Sequence, residues 1–156
     1  EEIGDIDMQS GAGATGLYAT PSVDAQQHAR AEQVLASAGR TVWIDSESLM
    51  DSVTAVSGSG PAYVFLLAEA MEAAGIAQGL PADAARALVV QTLLGASRML
   101  DEAGESPAEL RRRVTSPNGT TQAAIESFQA GGFEALVDTA LRAAQVRGQE
   151  LSAAND

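Results

Sequence analysis

From Ser46 onward the chain shows no strand pattern and repeats one theme: long apolar stretches opened by serine or proline and closed by glycine. Two of these stretches are too apolar for ordinary surface helices. In a helix opened by Pro61 and stopped at Gly75, residues such as Tyr63, Phe65, Leu66, Leu67 and Met71 cannot share one stripe, so this helix is expected to be central. The next helix, from Pro81 to about Ala103, would be roughly 33 Å long at 1.5 Å per residue. It places Leu88, Val89, Leu93, Leu94 and Leu100 on more than one side. Arg86, Gln91, Thr92 and Arg98 interrupt the apolar run, which makes it a buried helix and not a membrane span. The length and two-sided apolarity of this second helix exceed what a compact monomer of 156 residues buries easily. A second copy is the expected cover, giving a homodimer that is free to assemble further.

The remaining helices follow from their boundaries. Ser46 or Ser48 caps a helix through about Val56, and Ser106-Pro107-Ala108-Glu109 has the capping-box spacing for a short helix ending at Arg111-Arg112-Arg113. A further helix runs from Thr120 or Thr121 to Ala130 and stops at Gly131-Gly132. The last carries Phe133, Leu136, Val137, Ala140, Leu141 and Ala144 at helical spacing towards Leu151, before Ser152 to Asp156 fray.

Upstream the pattern changes. Ala14 to Ala19 predicts a strand, Ser22 or Asp24 to Ala38 a helix stopped by Gly39, and Arg40 to Asp45 a second strand. One strand–helix–strand unit cannot close a stable sheet alone. The expected organisation is an irregular lead-in at residues 1–9, a remnant of an α/β nucleotide-binding domain at 10–45, and a helical domain at 46–156. The fold class is mainly α.

Composition removes several functions. The net charge of −12 opposes binding to nucleic acid or an anionic membrane, both polyanions. With no cysteine and His28 as the only histidine, no thiolate or zinc site and no catalytic triad of the usual type can be built, and no metal is expected. His28 lies in a polar run and is expected to be solvated, whereas Trp43 and Tyr63 are expected to pack. The start Glu1-Glu2-Ile3-Gly4 is not a signal peptide, so the cytoplasm is the expected compartment. Gly11-x-Gly13-x-x-Gly16 opens no helix and is not a dinucleotide loop.

Two segments remain as candidates for chemistry, Ser57-Gly58-Ser59-Gly60-Pro61 and Ser116-Pro117-Asn118-Gly119-Thr120-Thr121. Each precedes an apolar helix, whose first N–H groups and dipole favour an anion. Each is equally accounted for as a sharp helix junction or a capped turn. Together they suggest a shared ligand cleft. The Arg111–Arg113 cluster beside the second segment is better explained as cations at a helix C-terminus than as a ligand site.

These residues also carry a resemblance. Asp51 to Tyr63 (DSVTAVSGSGPAY), Gly79-Leu80-Pro81, Gln91 to Ala96 (QTLLGA), Val114 to Thr121 (VTSPNGTT) and Gly131-Gly132-Phe133 resemble the C-terminal helical domain of the pyrroline-5-carboxylate reductase family. Gly11 to Ala19 and Gly39 to Asp45 are similar to the last strand–helix–strand of that family's nucleotide-binding domain.

The resemblance implies an intertwined dimer and hydride transfer from NADPH or NADH to a cyclic imine, pyrroline-5-carboxylate, giving proline. It implies that Ser116, Asn118, Gly119, Thr120 and Thr121 hold the substrate carboxylate through backbone N–H groups. The Thr121 hydroxyl would be the catalytic group, hydrogen-bonded to the ring nitrogen, and Ser57, Gly58, Ser59 and Gly60 would form the cleft wall. The family usually has two glycines after Ser-Pro, whereas this chain has Asn118-Gly119; asparagine tolerates left-handed backbone better than most residues. Residues 1–9 do not resemble the family's cofactor-binding segments, so the chain alone is expected to lack most of the cofactor site and to show no appreciable turnover. The alternative is a non-catalytic dimerisation module built on the same scaffold.

Overall fold

The computed structural model describes residues 11–155. Two parallel strands, β1 (Gly13–Leu17) and β2 (Gly39–Trp43), flank helix α1 (Ala25–Leu35), and all that follows is helical. The later elements are a 3₁₀ turn at Glu47–Leu49, α2 (Met50–Val53), a π turn at Thr54–Gly58, α3 (Gly60–Ala77), α4 (Ala82–Glu102), α5 (Pro107–Arg113), α6 (Thr120–Ala130) and α7 (Phe133–Asn155). The mainly-α architecture after a small strand–helix–strand region agrees with the sequence expectation. Residues 1–9, expected to be an irregular lead-in, lie outside the described residues.

The chain divides into two compact units. One comprises the described residues up to Tyr63 together with those from Asp138 onward, and the other spans Val64–Val137. In the first, β1 and β2 pair in parallel from Gly13 opposite Gly39 to Leu17 opposite Trp43, which requires the crossover that α1 supplies. Asp24 caps α1: its carboxylate accepts from the Gln27 N–H at 2.8 Å, while the Gln27 side chain accepts from the Asp24 N–H at 3.0 Å. The π turn lies close to β1. A Cβ on Gly16 would stand 2.5 Å from Cγ1 of Val53, so only glycine lets the strand approach the end of α2. Along α7, Gln145 donates to the Ser52 hydroxyl at 2.8 Å. Gly148 makes room for Asp51, whose Oδ1 would be 2.8 Å from an added Cβ.

Gly16→Ala is therefore expected to cost about 1–3 kcal/mol by overpacking. Combining it with Val53→Ala should recover part of that loss, because the obstructing atoms are a side chain. Urea unfolding of the single and double variants checks this. Equal stability of Gly16→Ala and wild type would refute the close approach.

In the second unit α3 ends in a Schellman motif, with Leu80 N–H on the Gly75 carbonyl at 3.1 Å and Gly79 N–H on that of Ile76 at 2.9 Å. Gly79 takes the left-handed position at φ 102°. The expected stop at Gly75 is thus corrected to Gly79. Gly75 lies inside the helix because Leu80 folds back over it and Ala85 of α4 lies against it, 3.3 and 3.6 Å from where its Cβ would be.

Three other boundaries also move. Gly39 does not stop α1, which ends at Leu35; it belongs to β2, with φ 150°, where a side chain would collide with the Gly13 backbone. The helix expected from Ser46 to Val56 is broken into a 3₁₀ turn, one α turn and a π turn. Helix α7 continues through Asn155, beyond the fraying expected from Ser152.

Very little is buried. Among the described residues the apolar core is Ala38, Ala55, Ala85, Val89 and Leu110. By contrast Phe65, Leu66 and Ile76 of α3 and Leu88, Val90 and Leu100 of α4 are exposed, all but Ile76 by more than half. These helices have apolar surface that the other described residues do not cover.

Candidate functional site

Helix α5 leads into the segment that most resembles a binding loop. Ser106 caps α5 by accepting from the Glu109 N–H at 3.2 Å, but the Glu109 carboxylate turns to Arg112, accepting from its Nε at 2.9 Å. The capping box expected there is only half made. The Arg112 hydrogen bond holds the Glu109 carboxyl below its usual range, and Arg113 pairs with Glu105. Two of the three clustered arginines thus meet carboxylates of their own chain. After Arg113 the Thr115 hydroxyl donates to the Arg111 carbonyl at 2.6 Å and finishes the helix.

The next four residues form a turn. Gly119 N–H donates to the Ser116 carbonyl at 3.0 Å, Pro117 holds the second position, and Asn118 occupies the third at φ 58°, the pattern of a type II turn. Gly119 fits where a Cβ would be 3.1 Å from the Ser116 oxygen. It is then the N-cap of α6, extended at φ −88°, and has no side chain with which to cap.

Among the described residues the N–H groups of Thr120, Thr121 and Gln122 consequently find no acceptor. Ser116, Asn118, Thr120 and Thr121 are exposed. The start of α6 therefore combines unpartnered donors, two threonine hydroxyls and the positive end of an 11-residue helix. Such an arrangement favours a small carboxylate or phosphate. At α1, by contrast, the Asp24 carboxylate already occupies that place.

The first candidate segment is built differently. Ser57 and Gly58 belong to the π turn, and Gly60 already begins α3. The chain therefore passes from one helical form to another, with no extended loop between them. Ser59 N–H donates to the Thr54 carbonyl at 2.8 Å and closes the π turn, and Ala62 N–H donates to that of Ser59 at 3.2 Å in the first turn of α3, so both donors are engaged. The Ser57 hydroxyl donates to the Val53 carbonyl at 3.0 Å and the Tyr63 hydroxyl to that of Ala55 at 3.1 Å. Tyr63 acts as a strut for the π turn, a distortion that recurs at functional sites. Ser57–Gly60 belong to the first unit and Ser116–Thr121 to the second.

Other candidates separate from the chemistry. His28 is half-buried and stacks on Trp43 with ring centroids 3.4 Å apart, which corrects the expectation of a solvated histidine. Gly13 and Gly16 lie in β1 and open no helix, and the N-terminus of α1 is closed by an acidic cap. The start of α1 is thus not open to a nucleotide pyrophosphate. Among them no group of three potential ligands could hold a metal, and no helix is long and apolar enough to cross a membrane. A groove of about 580 Å³ in the second unit is lined by Leu67, Met71, Val89, Ile125 and Phe128, with Arg111 and Glu134 among its few polar groups. No residue of the Ser116–Thr121 turn lines it, and its apolar walls do not suit a small anion.

Residues 47–151 match the family described as pyrroline-5-carboxylate reductase dimerisation. The chain belongs to the pyrroline-5-carboxylate reductase family. A pyrroline-5-carboxylate reductase from Pseudomonas aeruginosa is 57% identical over 140 residues, a match covering 90% of this chain and 51% of the relative. One from Synechocystis is 43% identical over 141 residues. The chain spans about half the length of the curated relatives it matches.

Among solved structures, a pyrroline-5-carboxylate reductase from Coxiella burnetii superimposes with a TM-score of 0.89 at 44% identity, over 91% of this chain and 53% of that one. The pyrroline carboxylate reductase of Plasmodium falciparum, solved with NADP bound, gives 0.79 at 29% identity, over 90% of this chain and 57% of that one. Sequence reasoning found the family and the turn. It missed Gln122, whose side chain accepts the Asn118 N–H. The available signal, a glutamine four residues after a left-handed asparagine, is too short to stand out.

Proposed function

We propose that this chain supplies the dimerising and carboxylate-binding part of a pyrroline-5-carboxylate reductase, which reduces a cyclic imine carboxylate to proline with a nicotinamide hydride. The single observation that carries this reading is the open start of α6, where the Ser116–Gly119 turn leaves donors and threonine hydroxyls unpartnered. In this reading the free N–H groups at the start of α6 receive the substrate carboxylate, while those of Asn118 and Gly119 are engaged within the turn by Gln122 and Ser116. The Thr121 hydroxyl hydrogen-bonds the ring nitrogen. Holding the carboxylate at a fixed donor set orients the ring for attack, a contribution of position and not of acid–base chemistry.

The hydride comes from NADPH or NADH, as the NADP-bound relative supports. Residues 10–45 correspond to the last strand–helix–strand of a nucleotide-binding domain and residues 46–156 to the dimerisation domain. None of the described residues is assigned to the nucleotide phosphates. The uncovered apolar faces of α3 and α4 support a homodimer. A cysteine-free chain suits the reducing cytoplasm.

Titrating the purified chain with proline tests the site. Wild type should bind saturably, and Thr121→Ala should bind about tenfold more weakly through loss of one hydrogen bond to a charged group. Failure of the wild-type chain to bind would leave a dimerisation scaffold without a substrate site.

A further inference from the structure

We infer that Gln122 is a positioning residue: it holds Asn118 in its left-handed conformation, so that the free donors at the start of α6 meet a carboxylate in one fixed geometry. This rests on the carboxylate reading of the turn. The Asn118 N–H donates to Oε1 of Gln122 at 2.8 Å, and Nε2 of Gln122 donates to Oε1 of Glu126 at 2.6 Å. Gln122 and Glu126 are four residues apart on α6 and share a face, so the helix supplies a rigid support for the contact. Gln122 is half-buried, whereas Asn118 is exposed.

The need for such support is specific to this turn. Among the described residues Asn118 is the only non-glycine at positive φ. Asparagine enters the left-handed region more readily than most residues, yet it still does so at a cost that glycine avoids. One net hydrogen bond on its N–H is of the size needed to offset that cost. With that N–H engaged by Gln122, the donors left for a ligand are those of Thr120, Thr121 and Gln122 itself.

The amide also suits the place electrostatically. Its oxygen accepts from Asn118 without adding negative charge where a carboxylate would arrive. A glutamate at position 122 would accept equally well, but it would face Glu126 and repel an anionic ligand.

The test uses the uniformly ¹⁵N-labelled full chain, reading amide hydrogen exchange at Asn118 and the affinity for proline. Gln122→Ala should speed Asn118 exchange about tenfold and weaken proline binding about fivefold. In an Asn118→Gly background the same substitution should change the affinity by less than about twofold, because glycine needs no support. Gln122→Glu should keep Asn118 protected and yet bind proline more weakly than wild type.

Unchanged Asn118 exchange in Gln122→Ala would overturn the role given to Gln122. So would an equal loss of affinity with and without Asn118→Gly, since Gln122 would then act on the ligand directly. No saturable binding by wild type overturns the carboxylate reading instead, a result distinct from the exchange measurement.

Discussion

Leu88→Asp and Leu94→Asp are each expected to convert the chain from dimer to monomer at low micromolar concentration. Both leucines are on α4, exposed by 57% and 43%. They are six residues apart and therefore about 120° apart around the helix. If a partner wraps α4, as the scarcity of self-covered surface implies, both positions are buried in the dimer. An aspartate would there lose its hydration without gaining a partner. A two-fold interface meets each substitution twice, so the dissociation constant should rise by about a hundredfold or more.

Sedimentation velocity gives the readout, with the wild type near twice the 16.0 kDa chain mass. A wild-type chain that sediments as a stable monomer would refute the dimer. Variants that stay dimeric would show that α4 lies away from the interface. Thermal stability should fall together with assembly, because an obligate dimer's folding includes its subunit contacts.

The same surface shows why some of the fold was legible and some was not. The central helices could be read because Phe65, Leu66 and Leu67 in succession leave no polar face, whatever the partner. Their ends were harder. Gly75 and Gly79 are both plausible stops, and only the fold-back of Leu80 over Gly75 decides between them. Gly39 looked like a helix stop, yet its role is set by Gly13, a strand partner twenty-six positions earlier that no local pattern reveals. His28 sits in a polar run, but the parallel pairing that follows α1 carries Trp43 to its ring.

At the candidate site the turn was visible, since Pro117 and Asn118-Gly119 encode it by backbone preference alone. The π turn at Thr54–Gly58 was not. Its widened ladder depends on the Tyr63 hydroxyl reaching back to Ala55, a contact between a side chain and a carbonyl eight residues away. Local propensity therefore located the second segment correctly as a turn and did not reveal the π-helical form of the first.

Thr120→Pro offers the sharpest test of the turn as a carboxylate site. Thr120 is the first residue of α6, a position where proline fits the helix because its missing N–H would have no internal partner. The preceding residue must be extended, and Gly119 already is, at φ −88° and ψ 175°. The substitution thus deletes one donor while leaving the helix intact, and stability should stay within about 1 kcal/mol of wild type.

If the Thr120 N–H receives the substrate carboxylate, its loss removes a charge-assisted hydrogen bond, and proline affinity should fall about tenfold to a hundredfold. Thr120→Ala is the control, since it loses the hydroxyl and keeps the N–H; it should bind within about threefold of wild type. Equal affinity for Thr120→Pro and Thr120→Ala would mean that the Thr120 N–H takes no part, and the donor set would have to be sought elsewhere in the turn. A loss confined to Thr120→Pro would assign the binding to the backbone. That outcome agrees with a site whose chemistry lies in where the chain turns and starts its helix, not in any titratable side chain.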